Sequence, residues 1–349
     1  MNISENIRIG DDYKTFIIAE AGINHQGDIN IAKELIKQAK LCGADCVKFQ
    51  KRTIDKILTK DGLNKPYCNQ NSFGKTYGEH KTFLEFSFSQ FKELKNYSDE
   101  IGILFTASGW DEESVDFLHL IDVPFFKMAS ADLTNFPLLE HTAKKGKPII
   151  ISTGMSDISM VDNAYRLVSK FNKNIILMQC TSSYPAPFEE LNLNVITTYK
   201  KLFPNAIIGY SGHEKGLAAS LTACVLGAKV IERHFTLDRC MKGGDHASSL
   251  EPDGLSKLIR DIRVSEKSLG SYEKTIAPSE YACMNKLRKS LVSKCKIFKN
   301  QKITFDMLTV KGPGTGISPS EFNNLVENFT SSRDIEEDTV LEWNFFLQK

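Results

Sequence analysis

Short apolar runs alternate with amphipathic stretches along most of this chain. Phe16 to Ala19 is apolar without a polar break, the pattern of a strand buried on both faces. Ile29, Ala32, Leu35, Ile36 and Ala39 then recur at helical spacing, and Gly43 stops that helix. Cys46 to Gln50 reads as the next strand. The rhythm returns with a strand at Ile103 to Thr106 and a helix at Asp111 to His119. A strand at Pro124 to Met128 leads to a helix capped by Asn135, with Pro137 tolerated in its first turn. Pro148 to Ile151 precedes a helix reaching Lys170, and Asn174 to Gln179 one ending near Phe203. Ala206 to Tyr210 and Lys229 to Glu232 are the last two strands. Leu217 to Leu226, stopped by Gly227, crosses over between them, and Pro252 to Leu269 makes the last helix.

Eight strand–helix units in residues 1–269 predict a TIM (β/α)8 barrel, an α/β fold. An open doubly wound sheet is the alternative, weakened because no G-x-G-x-x-G follows the first strand. Residues 51–88 interrupt the rhythm. They are polar, rich in Lys, Asn and Gly, and hold F-G-K-T-Y-G-E-H-K. A loop this long in a compact domain is expected to be functional or disordered. Ser87 and Gln90 form a capping-box pair for the helix that follows. Residues 270–283 read as a linker, and 284–349 as a small, mostly β second module. A faint repeat there, at an offset of 37, aligns Phe298, Ile303 and Leu308 with Ile335, Val340 and Phe345.

Composition narrows the function classes. The chain has 349 residues, 41% of them hydrophobic, enough for a barrel and a small module. Its 44 Lys and Arg balance 43 Asp and Glu, so no broad field favours nucleic acid or a membrane. Eight cysteines without a C-x-x-C pair argue against a disulfide framework or zinc ribbon, and a reducing cytoplasm is expected. The first residues lack the apolar core of a signal peptide, and no apolar run suits a membrane span.

In a TIM barrel the C-terminal strand ends carry the active site. Those positions here are Glu20, Lys48, Gln50, Ser108, Lys127 and Ser130, then Ser152, Thr153, Ser182, Tyr184, Ser211, His213 and His234. Lys127 closes P-F-F-K, where a buried ammonium is costly unless it meets an anion. Each lysine alone also fits a snorkelling surface residue. Two lysines and several serines converging at one mouth form an anion cradle, which suits a small phosphorylated ligand. His213 and His234 end neighbouring strands and can share a divalent metal, although two histidines alone also fit separate loop positions. Asp245, in M-K-G-G-D-H, can be a third ligand, a base, a substrate contact or a plain turn aspartate. His25 is placed to hold the mouth together rather than react.

These pieces resemble the sialic acid synthase family. The matching segments are A-E-A-G-I-N-H-Q-G (19–27), D-C-V-K-F-Q (45–50), F-F-K-M-A-S-A-D (125–132), I-S-T-G-M (151–155), Q-C-T-S-S-Y-P (179–185), G-Y-S-G-H-E (209–214) and E-R-H-F-T-L-D (232–238). The C-terminal module resembles the family's antifreeze-like SAF domain. The resemblance implies condensation of phosphoenolpyruvate with an N-acylated amino-sugar aldehyde, with phosphate released. It also implies a divalent metal, Mn²⁺ or Mg²⁺, and a domain-swapped homodimer. Carried over by position, Lys48, Lys127, Ser152 and Ser211 match contacts to the phosphate of phosphoenolpyruvate. Ser108 and Ser130 match its carboxylate end, and Glu20 the acidic residue near the reacting carbons. His213 and His234 match metal ligands. Gln50, Tyr184 and Asp245 match sugar-side positions, with Ser182 replacing a sugar-contacting asparagine.

The insert F-G-K-T-Y-G-E-H-K resembles the animal-type branch, which takes N-acetylmannosamine 6-phosphate. On that resemblance Lys75, His80 or Lys81 is expected to help hold the sugar phosphate, against the plainer reading of a solvated basic loop. Lys311 is followed by Gly312, where bacterial relatives carry an arginine that reaches the partner's sugar. The alternatives are the free-sugar synthase, a synthase of a related nonulosonic acid (deaminated, legionaminic or pseudaminic), a non-catalytic sugar-phosphate sensor on the same scaffold, and a metal-dependent aldolase, which would release no phosphate.

Overall fold

The computed structural model describes all 349 residues, and the alternating units close on themselves. The strands are β1 (Phe16–Gly22), β2 (Cys46–Lys51), β3 (Leu104–Gly109), β4 (Phe126–Met128), β5 (Ile149–Ser152), β6 (Ile175–Cys180), β7 (Ile207–Gly212) and β8 (Val230–His234). All neighbours are parallel, and β8 pairs with β1 to complete the barrel. The TIM-barrel expectation holds.

Strand parity then decides what each residue does. Side chains alternate between the two faces of a strand, so residues two apart share a face. Phe16, Ile18, Cys46, Ile150, Ile176, Met178 and Val230 pack in one buried cluster that also includes Phe125. Their neighbours of opposite parity, such as Ile17, Ala19, Val47 and Ile149, join the larger core against the helices. Continuing the first parity toward the strand ends gives Glu20, Lys48, Gln50, Lys127, Ser152, Cys180, Glu232 and His234. The apolar plug and the polar mouth are two heights of one inner face.

The insert at 51–88 is folded rather than an open loop. It contains short helices at Ile54–Ile57, Lys60–Asn64 and Tyr77–Phe83. Thr76 accepts from the Glu79 N–H and Glu79 reaches back, a capping box written in the sequence as T-x-x-E. His80 is buried, accepts from the Phe73 N–H (3.2 Å) and packs against Tyr67 and Phe73. It pins the segment. The Ser87–Gln90 capping box is formed as expected.

The chain divides into two units, Met1–Gly270 and Ser271–Lys349. In the second, β9 (Ser290–Ser293) pairs with β10 (Leu308–Lys311), and β11 (Phe329–Ser331) with β12 (Phe346–Gln348), both antiparallel. The internal repeat is real, but its offset is 38 rather than 37. Ile297, Ile303 and Leu308 are buried, as are Ile335, Leu341 and Phe346. Ile297 bridges Ile335, and the tight-turn residues Asn300 and Asp338 share φ of 62°. Phe298, the partner expected at the shorter offset, is 57% exposed. No helix in the chain is long and apolar enough to cross a membrane.

The corrected offset is testable in the unfolding transition of the second unit. Ile297→Ala empties a core position and should cost about 2–5 kcal/mol. Phe298→Ala should stay within roughly 0.5 kcal/mol. Equal effects would restore the shorter offset.

Candidate active site

Parallel register brings the reactive groups level. Glu20 on β1 is opposite Lys48 on β2 and His234 on β8. Ser108 is opposite Gln50 on one side and Lys127 on the other, and Ser211 is opposite Glu232. A bulge follows Glu20, and Gly22 there has φ of 53°. A side chain at Gly22 would meet Glu20 Oε1 and Gln50 Nε2 at 3.1 and 3.2 Å. Only glycine lets the chain turn away so close to the mouth.

One cavity of about 190 Å³ collects most of the expected residues, while Thr153 lines the neighbouring hollow instead. Glu20, Lys48 and Lys127 line it with Gln50, Ser108 and Ser130. Ser152, Ser182, Tyr184, Ser211, His213 and His234 complete the wall. Asp245 lies just outside, its Oδ2 3.6 Å from His234 Nδ1. Lys75 is exposed and Lys81 half-buried, both on the folded insert beyond the cavity. A larger hollow, near 760 Å³, opens from the same rim past Met155 and Leu202. It carries none of the lysines, so the candidate site is the smaller cavity.

The floor is four charges. Lys48 Nζ pairs with Glu20 and donates to Ser108 Oγ (3.1 Å). Lys127 Nζ donates to Ser152 Oγ (2.7 Å). Glu232 Oε1 stands between the ammoniums, 3.7 Å from Lys48 and 3.5 Å from Lys127. All four side chains are at most 5% exposed. Burial pushes Glu20 above the usual carboxylate range, with Glu232 adding to it against the pull of Lys48. Burial also works on Glu232, but Lys127 and Lys48 outweigh it and hold its proton off. Lys48 resists burial through Glu20 and Glu232 and stays firmly charged. Burial lowers Lys127, and the nearby Lys48 adds to that.

Glu232 is not among the residues that the motifs single out. Its signal is parity, since it sits two residues before His234 in E-R-H. Cys180 escapes notice the same way, two residues past Met178, with Sγ 3.5 Å from Ser130 Oγ. Ser130 Oγ accepts from the Gly154 N–H at 3.0 Å. A side chain at Gly154 would collide with Ser182 Oγ, so the I-S-T-G-M glycine permits this close approach.

The imidazoles face each other, with ring centroids 5.3 Å apart and the Tyr184 ring 4.2 Å from His213. His213 Nδ1 lies 2.7 Å from the Thr181 carbonyl, to which it donates, leaving Nε2 as its lone-pair nitrogen. His234 is buried, and its Nδ1 has no hydrogen-bond partner. Burial lowers its pKa to about 4, so it is neutral at pH 7. An orphaned imidazole nitrogen beside a second imidazole fits a divalent cation. No cluster of three His, Cys, Asp or Glu converges here, so other coordination positions would fall to water or substrate. Behind the rings, Arg233 Nη1 donates to Glu214 Oε1 (2.9 Å) and Tyr210 donates to Glu214 Oε2 (2.8 Å). This buried clamp ties the end of β7 to β8.

A closed parallel barrel with two buried lysines, hydroxyls and paired imidazoles at one rim defines a (β/α)8-barrel enzyme site for small anions. Comparison with known proteins supplies the family. The NeuB family model matches residues 35–274, and the chain belongs to that family. It is 51% identical to human N-acetylneuraminate-9-phosphate synthase, over 96% of this chain and 93% of that one. It is 37% identical to the N,N'-diacetyllegionaminic acid synthase of Legionella pneumophila, over 96% and 95%. Among solved structures, the N-acetylneuraminic acid synthetase of Leptospira borgpetersenii in complex with citrate aligns with a TM-score of 0.71 at 34% identity. That alignment covers 80% of this chain and 94% of that one.

Two outcomes follow. Glu232→Ala leaves two buried ammoniums without their shared carboxylate, and urea unfolding should show a loss of about 3–5 kcal/mol. The second concerns His25, stacked on Phe86 at 4.0 Å, where burial and then Arg52 lower its pKa to about 3. The unfolded chain takes up this proton near pH 6.5 and the folded chain only near 3, so stability falls as pH drops through that window. Relative to His25→Phe, the native chain should lose stability at up to about 1.4 kcal/mol per pH unit there. A flat difference between the two would contradict the assignment.

Proposed function

We propose that this chain condenses phosphoenolpyruvate with N-acetylmannosamine 6-phosphate, giving N-acetylneuraminate 9-phosphate and inorganic phosphate. The observation that carries this reading is the floor quartet, with two lysines and Ser152 on the same rim as Glu20 and the imidazoles. Family membership and the identity to the human synthase support it.

On this reading Lys48, Lys127, Ser152 and Ser211 take the phosphate of phosphoenolpyruvate, and Ser108 and Ser130 its carboxylate. Gln50, Ser182, Tyr184 and Asp245 hold the open-chain sugar, and Lys75 or Lys81 its phosphate. C3 of the enol attacks the aldehyde carbon, and positive charge develops at C2. Glu20 stabilises that charge once the incoming phosphate draws Lys48 away from it. Water adds at C2, with Asp245 or Glu20 placed to accept its proton. The proton taken from water passes to the former aldehyde oxygen. The C2–O bond to phosphate breaks as the C2 hydroxyl becomes the ketone and gives its proton to the departing oxygen, and the lysines receive the hydrogen phosphate dianion. His213 and His234 would hold Mn²⁺ or Mg²⁺, which when bound supplies Lewis-acid polarisation of the aldehyde oxygen.

The second unit, with its paired hairpins, fits an SAF module, and the family resemblance supports a domain-swapped homodimer. All eight cysteines are free, four of them exposed, which suits a reducing cytoplasm. A second reading keeps the chemistry and changes the acceptor to free N-acetylmannosamine or a legionaminic-type precursor, which the identity to the Legionella synthase supports.

Phosphate release with each acceptor, followed by product mass, tests the proposal. The phosphorylated acceptor should give a product that keeps its phosphate. A chelator should abolish release and Mn²⁺ restore it, and Lys127→Met should lower kcat by about 10²–10³-fold. Carbon–carbon bond formation without phosphate release would sink it.

A further inference from the structure

Beyond the floor quartet, around Lys81, lies a second cluster of cations that takes no part in the bond-making steps. Residues 48, 50 and 52 share a parity, so Arg52 continues the inner face past Lys48 and Gln50. Its side chain is only 2% exposed. The guanidinium stacks on Trp110, 4.8 Å from the ring centroid, and Nη2 donates to Gln50 Oε1. Nη1 has no hydrogen-bond partner. The nearest carboxylate oxygen, Glu85 Oε2, stands 3.7 Å away, too far for a hydrogen bond. Glu85 Oε1 is already taken by Lys51 Nζ (2.8 Å) and the Arg52 N–H (3.0 Å). The Trp110 Nε1–H is a second buried donor without an acceptor. Glu85 Oε2 is likewise without a partner, but it cannot serve both stacked groups, and two orphaned donors on them are costly unless an anion reaches them.

More positive charge surrounds this point. Lys81 lies over the Tyr77 ring at 5.1 Å, and Lys242 over Phe73 at 4.8 Å. Burial lowers Lys81 to about 8, and Arg52 adds to that, so the two cations feel each other. Asp245 and Glu85 are the anions that oppose them. Arg52, the first residue past β2, is four residues from Lys48, about 13 Å between Cα atoms if the chain stays extended. An open six-carbon chain with a phosphate at its far end is shorter than this, and the Arg52 side chain, which reaches back to Gln50, narrows the gap.

We propose that Arg52, with the Trp110 indole N–H and Lys81, forms a second anion site that takes the terminal phosphate of the acceptor. Arg52 supplies the fixed fork, which suits two phosphate oxygens, and Lys81 a mobile charge from the folded insert. The site thereby sets the preference for a phosphorylated over a free sugar. This inference rests on the acceptor reading above.

The test is kcat/KM of the Mn²⁺-loaded enzyme for N-acetylmannosamine 6-phosphate and for N-acetylmannosamine, read by phosphate release at saturating phosphoenolpyruvate. The native enzyme should prefer the phosphorylated sugar. Arg52→Gln and Lys81→Gln should each lower that preference about 10- to 100-fold, through KM for the phosphorylated acceptor, and Arg52→Lys should recover part of it. If Arg52→Gln fails to fold, Lys81→Gln decides by the same ratio. Native preference with an unchanged ratio in the variants overturns this inference alone. Native preference for the free sugar overturns the acceptor reading first, and this site with it.

Discussion

Two buried lysines cannot share one barrel mouth unless something neutralises them. Glu20 and Glu232 do so here, one paired with Lys48 and the other bridging both ammoniums. In water such pairs contribute little, but at this depth each charge depends on its neighbours. The quartet is neutral as a whole, which lets the fold bury it. It is also displaceable. In the proposed reaction an entering phosphate or carboxylate would offer the lysines a second partner, and release of Glu20 from Lys48 would free that carboxylate for the reacting carbons. On that proposal one set of contacts both holds the mouth together and readies it for anions.

The barrel supplies this arrangement through register rather than through any special loop. Glu20, Lys48 and His234 are level because β1 lies between β2 and β8. Ser108 is level with Lys127, and Ser211 with Glu232, for the same reason. The apolar side chains of the same parity fill the barrel below and set the height of the floor. The Arg233–Glu214 clamp then ties the segment just past β7, which carries His213, to β8, which ends in His234.

Much of this is legible in the sequence, and the exceptions have physical reasons. Strands buried on both faces announce themselves as apolar runs, so all eight barrel strands are visible. Their polar ends are visible too, because a lysine closing the apolar run P-F-F-K would be buried at high cost without an anion beside it. Glu232 escapes because a strand-end glutamate is common, and only its shared face with His234 marks it. Arg52 escapes because it lies just past D-C-V-K-F-Q, the segment that holds Lys48 and Gln50. The insert at 51–88 reads as open because its polar composition hides three short helices, although Thr76 and Glu79 spell out a cap. The repeat in the second unit reads one residue out of register from sequence. Phe298 and Ile297 are both apolar, and only burial distinguishes them.

A crystal structure with phosphoenolpyruvate bound tests the central claim most directly. The account predicts phosphate oxygens within hydrogen-bond distance of Lys127 Nζ and Ser152 Oγ, about 2.7–3.2 Å, with the carboxylate toward Ser108 and Ser130. It also predicts that Glu20 has parted from Lys48. Phosphoenolpyruvate seated away from the two lysines, or the Glu20–Lys48 pair intact beneath it, would contradict the account.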